Sequence, residues 1–206
     1  MNAMYRYQRY IYDATRKFYL LGRDRLIDRM EIRDHDAVAE IGCGTGRNLL
    51  VLARKYPRTN FFGLDASSEM LKTASANTSD IDNITFTTAL ADDFDYRSTF
   101  HLEERFDVMF FSYSISMIPA WRESISNAIA NLKPGGTLYV VDFYDQLGLP
   151  GWFRTVLKSW LRQFHVQFWD ELIPFFHDLD RKGRGTLTIE PVARRYAFIA
   201  TFRKAN

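Results

Sequence analysis

The stretch Val38-Ala39-Glu40-Ile41-Gly42-Cys43-Gly44-Thr45-Gly46-Arg47-Asn48-Leu49 decides how this chain is read. Its apolar start is a strand, its alternate glycines are a tight turn, and its end opens a helix. Glycine lacks a Cβ, so the backbone can take positive φ and pass close to a ligand. Nineteen residues after Gly46, Asp65 closes a second apolar run, Phe61-Phe62-Gly63-Leu64. A carboxylate there can accept hydrogen bonds from both hydroxyls of a ribose, so the pattern points to a nucleoside-bearing cofactor. Position 47 is arginine, and the last glycine of the dinucleotide fingerprint G-x-G-x-x-G is therefore missing. That turns the reading away from a pyrophosphate and from an NAD-dependent dehydrogenase.

Outward from this turn, strand-like segments at 36–41, 60–64, 84–88, 106–111 and 137–143 alternate with helical stretches, the signature of βαβ units. Two more, at 186–191 and 195–204, close the chain as a hairpin. The expected fold is α/β and Rossmann-like: a seven-stranded, mostly parallel sheet with a C-terminal antiparallel strand and helices on both faces. No linker, repeat or low-complexity tract interrupts it, so residues 1–206 read as one domain. Within it, 1–35 form a helical cap and 148–180 an inserted amphipathic helical region. Ligands of such sheets sit outside the carboxyl ends of the strands, which gives weight to 40–46, Asp65, 90–93, 112–114 and 142–144.

Hydrophobic residues at 47% and charged ones at 25% of 206 describe a globular chain, long enough for one sizeable core and short for two. No run approaches the roughly 20 apolar residues of a membrane-spanning helix. A single cysteine, Cys43, excludes an internal disulfide, and no cationic segment leads into an apolar signal core, so a reducing cytoplasm is expected. Inside the glycine turn, Cys43 reads as a small packing residue rather than a nucleophile. His35, His101, His165 and His177 lack ligand spacing, and no metal is expected. The net charge of +2 hides basic ends around a more acidic middle. Such ends suit nucleic acid, an anionic membrane surface or solubility alone.

Further matches give the turn its family. Glu40 precedes Gly42-x-Gly44-x-Gly46. Asp65-Ala66-Ser67-Ser68-Glu69-Met70-Leu71 joins an acidic strand end to a helix, and Leu132-Lys133-Pro134-Gly135-Gly136-Thr137-Leu138 turns into the fifth strand. Together they resemble class I S-adenosylmethionine-dependent methyltransferases. The resemblance implies S-adenosylmethionine as cofactor and S-adenosylhomocysteine as product. It implies a cradle of Glu40, Gly42, Cys43, Gly44, Gly46, Asn48, Asp65, Ala66 and Met70, completed by Leu90, Ala91, Asp92, Ser112 and Tyr113. One position departs from the family pattern Asp-Ala-x-x-Leu. The chain has Leu90-Ala91-Asp92-Asp93-Phe94, so either the Ala91 backbone or Asp92 meets the adenine amine. A nucleic-acid methyltransferase would carry Asn-Pro-Pro-Tyr after the fourth strand, where Ser112-Tyr113-Ser114-Ile115 stands, and no nucleic-acid partner is expected.

Two segments lie outside a minimal fold. On a helix over 4–29, Tyr5, Arg9, Tyr12, Arg16 and Tyr19 share one stripe. Its tyrosines either border a buried face or offer aromatic faces to a sulfonium and an amine, an attraction worth about 0.5–2 kcal/mol. Tyr12 and Tyr19 are the candidates for the reaction site. On a helix over 152–169, Arg154, Lys158 and Arg162 recur every four residues among Trp152, Phe153, Val156 and Trp160. That helix either lies on anionic lipid or covers the sheet.

Residues 5–27, Phe111-Ser112-Tyr113-Ser114-Ile115-Ser116-Met117-Ile118-Pro119, Val140-Val141-Asp142-Phe143 and Phe164-His165-Val166 resemble the methyltransferase component of betaine-lipid synthesis. That component N-methylates diacylglycerylhomoserine to diacylglyceryl-N,N,N-trimethylhomoserine. The resemblance implies an amine-headgroup lipid substrate, peripheral association with an anionic membrane surface at its inner face, and an enzyme making diacylglycerylhomoserine as a partner. Phosphatidylethanolamine and quinone precursors are the alternative substrates, and a catalytically silent binding protein stays open. The first two methyl transfers release a proton, for which Asp142 and His165 are the candidate bases.

Overall fold

Five strands run parallel; four carry apolar segments that a sheet covered on both faces can bury, while the edge strand, Ile84–Thr88, alternates with threonine and is only partly buried. The five are β1 (Ala37–Ile41), β2 (Asn60–Asp65), β3 (Ile84–Thr88), β4 (Phe106–Ser112) and β5 (Leu132–Phe143). The computed structural model describes residues 20–163 and 166–206. Two further strands, β6 (Gly185–Val192) and β7 (Ala197–Lys204), form the closing hairpin. Strand β7 lies antiparallel between β5 and β6, giving the sheet order β3-β2-β1-β4-β5-β7-β6. The expected sheet and its antiparallel C-terminal strand are both present.

Helices α1 (Arg23–Arg29), α2 (Arg47–Lys55), α3 (Ser68–Asn77), α4 (Trp121–Asn131), α5 (Gly151–Arg162) and α6 (Leu172–Arg181) complete the described elements. Alternation along the strands sends successive side chains to opposite faces. Val38, Phe61, Val108 and Val141 pack with Leu26 of α1, Leu49 and Leu52 of α2 and Leu161 of α5. Ile41, Phe62, Met109 and Val140 pack on the other face with Ile125 of α4 and Phe176 of α6. Lys133, Pro134, Gly135 and Gly136 bulge out of β5, since Phe106 pairs with Leu132 and Val108 already with Thr137.

Two expectations are corrected. Of the helix expected over 4–29, residues 4–19 lie outside the described residues, and within the rest the helix starts only at Arg23, where Gly22 takes φ 90° and caps α1. The helix over 152–169 ends at Arg162, because the chain beyond it is claimed by tertiary bonds. The Gln167 N–H donates to the Ser116 carbonyl at 2.8 Å, and the Trp169 indole N–H to the Ile115 carbonyl at 3.0 Å. The basic N-terminal charge is also partly consumed within the fold, as Arg25 and Arg29 both pair with Glu190 of β6.

Candidate functional site

The glycine turn leaves β1 at the carboxyl edge of the sheet. Gly42, Gly44 and Gly46 have φ of 74°, 54° and 76°, conformations that side chains rarely adopt. The N–H groups of Gly42 and Cys43 both donate to the Leu64 carbonyl, at 2.7 and 3.0 Å, and tie the turn to β2. Asp65 then reaches back. Its carboxylate accepts the Gly44 N–H at 2.8 Å and the Ser67 N–H at 2.9 Å, joining the turn to the start of α3. The acid assigned to ribose recognition thus also fixes the backbone that a nucleoside would lie against.

Beneath the turn, Glu40 is buried and accepts from the Asn48 amide at 2.6 Å, so the first turn of α2 is locked to the end of β1. Cys43 is buried as well, and burial first, then Glu40 and Asp65, push its thiol well above the ordinary range. A neutral packing thiol is the result. Gly46 is required by space. A Cβ there would stand 3.0 Å from that of Ala74 and 3.1 Å from the Phe86 ring. Met70 is buried at the head of α3, and Ala66 is exposed beside Asp65.

On the third strand's side, Leu90 and Asp93 close a short turn that leaves Leu90 and Asp92 exposed and Ala91 buried. The Asn127 side-chain amide of α4 donates to the carbonyls of Ala91 and Phe94, at 3.4 and 3.0 Å, and holds that turn in place. Between the two halves, Ser112 ends β4, buried. Tyr113 follows with φ 56°, its N–H on the Val141 carbonyl at 2.8 Å and its hydroxyl donating to the Leu21 carbonyl. Burial holds that phenol well above its usual range, so Tyr113 is a neutral donor bracing the cap against the sheet.

Asp142 is fully enclosed at the end of β5. Its carboxylate accepts the Ser116 N–H at 2.9 Å and the Phe143 N–H at 2.8 Å. Burial raises it to about 6, and these backbone donors limit the rise. The group is a strut between β5 and the 3-10 turn Ile115–Met117, and it does not line the neighbouring cavity. Tyr12, Tyr19 and His165 lie outside the described residues.

Sequence reasoning missed that cavity. It holds about 590 Å³ at the same sheet edge, between the ends of β5 and β7 and helices α5 and α6. Phe143, Phe168, Trp169 and Phe198 form aromatic walls, and Arg154 and Lys158 line it from α5. Helix α5 covers the sheet with one side and exposes another. Leu157 and Leu161 face the core, Arg154 and Lys158 line the cavity, Arg162 is exposed, and the solvent side carries an apolar patch in which Trp152 is 72% and Val156 62% exposed, with Phe153 beside them. Gln146, in the segment between β5 and α5, was missed too. It is completely buried at φ 61°, and among the described residues neither polar atom of its amide has a hydrogen-bond partner.

A family model described as a methyltransferase domain matches residues 32–177. The chain is 28% identical over 108 residues to the trans-aconitate 2-methyltransferase of Deinococcus radiodurans, a match covering 52% of this chain and 38% of that protein. The same-named protein of Escherichia coli O1:K1 is 26% identical over 115 residues, covering 56% and 42%. The chain thus spans well under half the length of these curated relatives. Among solved structures, NodS of Bradyrhizobium japonicum, an N-methyltransferase in complex with S-adenosylhomocysteine, superposes with a TM-score of 0.65 at 18% identity, covering 89% of this chain and 86% of that one. The matched residues hold the glycine turn, Asp65 and the five parallel strands, and the chain belongs to the methyltransferase domain family, the class I S-adenosylmethionine-dependent methyltransferases.

Proposed function

We propose that this chain is an S-adenosylmethionine-dependent N-methyltransferase of a membrane lipid, converting the amine of diacylglycerylhomoserine to its trimethylated form. Glu40, the turn from Gly42 to Gly46, Asn48 and Asp65 would hold the cofactor, with Met70, Ala91 and Asp92 around its base and Ser112 and Tyr113 beneath. When bound, S-adenosylmethionine supplies an electrophilic methyl group on a sulfonium. The chain's own task is then positioning, since alignment of two reacting atoms can supply much of a barrier reduction. The bonds among Gly44, Asp65 and Ser67 fix one side of that alignment. The aromatic cavity beyond the Ile115–Met117 turn offers the other side, where an amine can be held among ring faces and away from water.

The observation that carries the lipid reading is the outward arc of α5, with Trp152, Phe153 and Val156 exposed next to a cavity at the carboxyl edge. No helix among the described residues is long and apolar enough to cross a membrane. An exposed Trp and Phe on a short helix suit shallow insertion among lipid headgroups, which brings the cavity to a headgroup without extracting acyl chains into water. A peripheral position on the inner face of the membrane, near the enzyme that makes diacylglycerylhomoserine, belongs to the same proposal. Phosphatidylethanolamine or a quinone precursor is the alternative substrate. The test is incubation of purified protein with labelled S-adenosylmethionine and vesicles of diacylglycerylhomoserine, phosphatidylethanolamine or a quinone precursor. Label transferred to the homoserine lipid supports the reading, and label confined to another substrate overturns it.

A further inference from the structure

The charged groups that line the cavity are Asp145, Arg154, Lys158 and Asp170. Asp145 is already spoken for. Both of its oxygens accept from the Arg195 guanidinium, one of them from Nε at 2.9 Å. Burial pushes Asp145 upward, yet the Arg195 hydrogen bond, the Leu147 N–H and the charges of Arg195 and Lys158 together outweigh it and hold the carboxyl below its usual range. That leaves two cations against the exposed Asp170. Arg154 and Lys158 sit one helical turn apart on the cavity side of α5, both half-buried, and among the described residues neither has a carboxylate within 4.0 Å. Lys158 instead rests its ammonium 4.6 Å from the centre of the Phe168 ring. Lys158 still feels the charge of Asp145 across the cavity, but half-buried cations with no direct ion pair, facing an aromatic-walled space, match an anion that arrives with the ligand.

We propose that Arg154 and Lys158 bind an anionic group, carboxylate or phosphate, of the molecule whose amine is methylated. The proposal rests on the N-methyltransferase reading and narrows its substrates to amines that carry an anion close to the reacting nitrogen. Arg154 offers a planar fork of donors and Lys158 a point charge, so the pair can grip two oxygens of one group from adjacent turns. An exposed cationic stripe would attract any anionic surface. This pair faces inward, and its role is selection of substrate.

The experiment is calorimetric titration of the protein saturated with S-adenosylhomocysteine, using three acyl-free probes: glycerylhomoserine, its methyl ester and glycerophosphoethanolamine. We expect at least one anionic probe to bind and to weaken at least about tenfold in R154Q/K158Q, the scale of a lost charge-assisted hydrogen bond. R154K should keep most of the binding, and S-adenosylhomocysteine affinity should be the same in all variants, which reports that the fold is intact. The ester should bind at least about tenfold more weakly than the free acid if glycerylhomoserine is the ligand. Binding of glycerophosphoethanolamine alone would keep the anion site and overturn the homoserine substrate. The anion site itself falls if the double variant binds as tightly as the wild type, if ester and acid both bind and bind alike, or if neither anionic probe binds at millimolar concentration.

Discussion

Ser114 stands where a side chain on Gly42 would have to go: a Cβ at position 42 would lie 2.5 Å from the Cβ of Ser114, whose hydroxyl donates to the Ile41 carbonyl at 2.8 Å. The end of β4 therefore closes over the glycine turn of β1, and each strand end sets the position of the other. Gly42→Ala combines a φ of 74° with this clash. Left-handed backbone costs a non-glycine residue about 1–2 kcal/mol, and overpacking adds about 1–3. The expected outcome is a clear fall in melting temperature together with loss of S-adenosylhomocysteine binding. A variant that melts and binds as the wild type does would disprove this account of the turn.

Asp142 makes stability depend on pH in a direction that can be computed. Its carboxyl is raised from the ordinary 3.8 to about 6, so the folded chain binds this proton more tightly than the unfolded one. The sign follows from linkage. Stability from this group is fully present below pH 3.8 and is lost as pH rises to about 6, by about 3 kcal/mol in all. Asn at 142 keeps an acceptor without the charge. Urea unfolding at pH 4 and pH 8 should show the stability of Asp142→Asn gaining on wild type by roughly that amount between the two. A difference that stays constant with pH would mean that the carboxyl is not held neutral by its burial.

Gln146 presents the opposite case, a buried amide inside a strained turn whose polar atoms have no hydrogen-bond partner among the described residues. Leaving such groups unsatisfied costs about 1–3 kcal/mol, and proteins retain them where function requires it. Gln146→Met, which fills similar volume, should raise the melting temperature while raising KM for the amine substrate. If both stability and KM are unchanged, the amide has neither the cost nor the role given to it here.

Much of this architecture is legible in the sequence because its signals are local. Val38 to Ile41 and Phe106 to Phe111 are mostly apolar runs broken only by Glu40 and Asp107, and three alternate glycines between a strand and a helix leave few other conformations. Helix α5 was harder for a physical reason. It carries two apolar arcs, Leu157 with Leu161 and Trp152 with Val156, and periodicity alone does not say which one meets the sheet. The inward choice of the leucines is what carries Arg154 and Lys158 to the cavity. Its end at Arg162 was equally hidden, since Gln167 and Trp169 bond to carbonyls of the distant Ile115–Met117 turn. Gln146 and the cavity arise only when β5, β7, α5 and α6 come together, and no spacing in the chain announces them.

The outward arc of α5 separates two ways of meeting a membrane. If attraction were electrostatic, Arg154 and Lys158 would dominate it, each basic residue near an anionic surface contributing about 1 kcal/mol. They line the cavity instead; of the basic stripe only Arg162 is exposed, and the large apolar groups turned to solvent are Trp152, Phe153 and Val156, with Leu147 63% exposed in the segment before the helix. Burying an apolar side chain of this size is worth about 1.5–3 kcal/mol, so three of them outweigh the two cations even when only partly inserted. Vesicle co-sedimentation should therefore respond to W152S/F153S/V156S with at least a tenfold loss of binding. R154Q/K158Q should change it little and should weaken the headgroup interaction. Raising salt should also leave most of the wild-type binding in place, because insertion is not screened. Binding that disappears with salt and with the cations, and survives the loss of the aromatic arc, would return α5 to the electrostatic role and leave Trp152 without one.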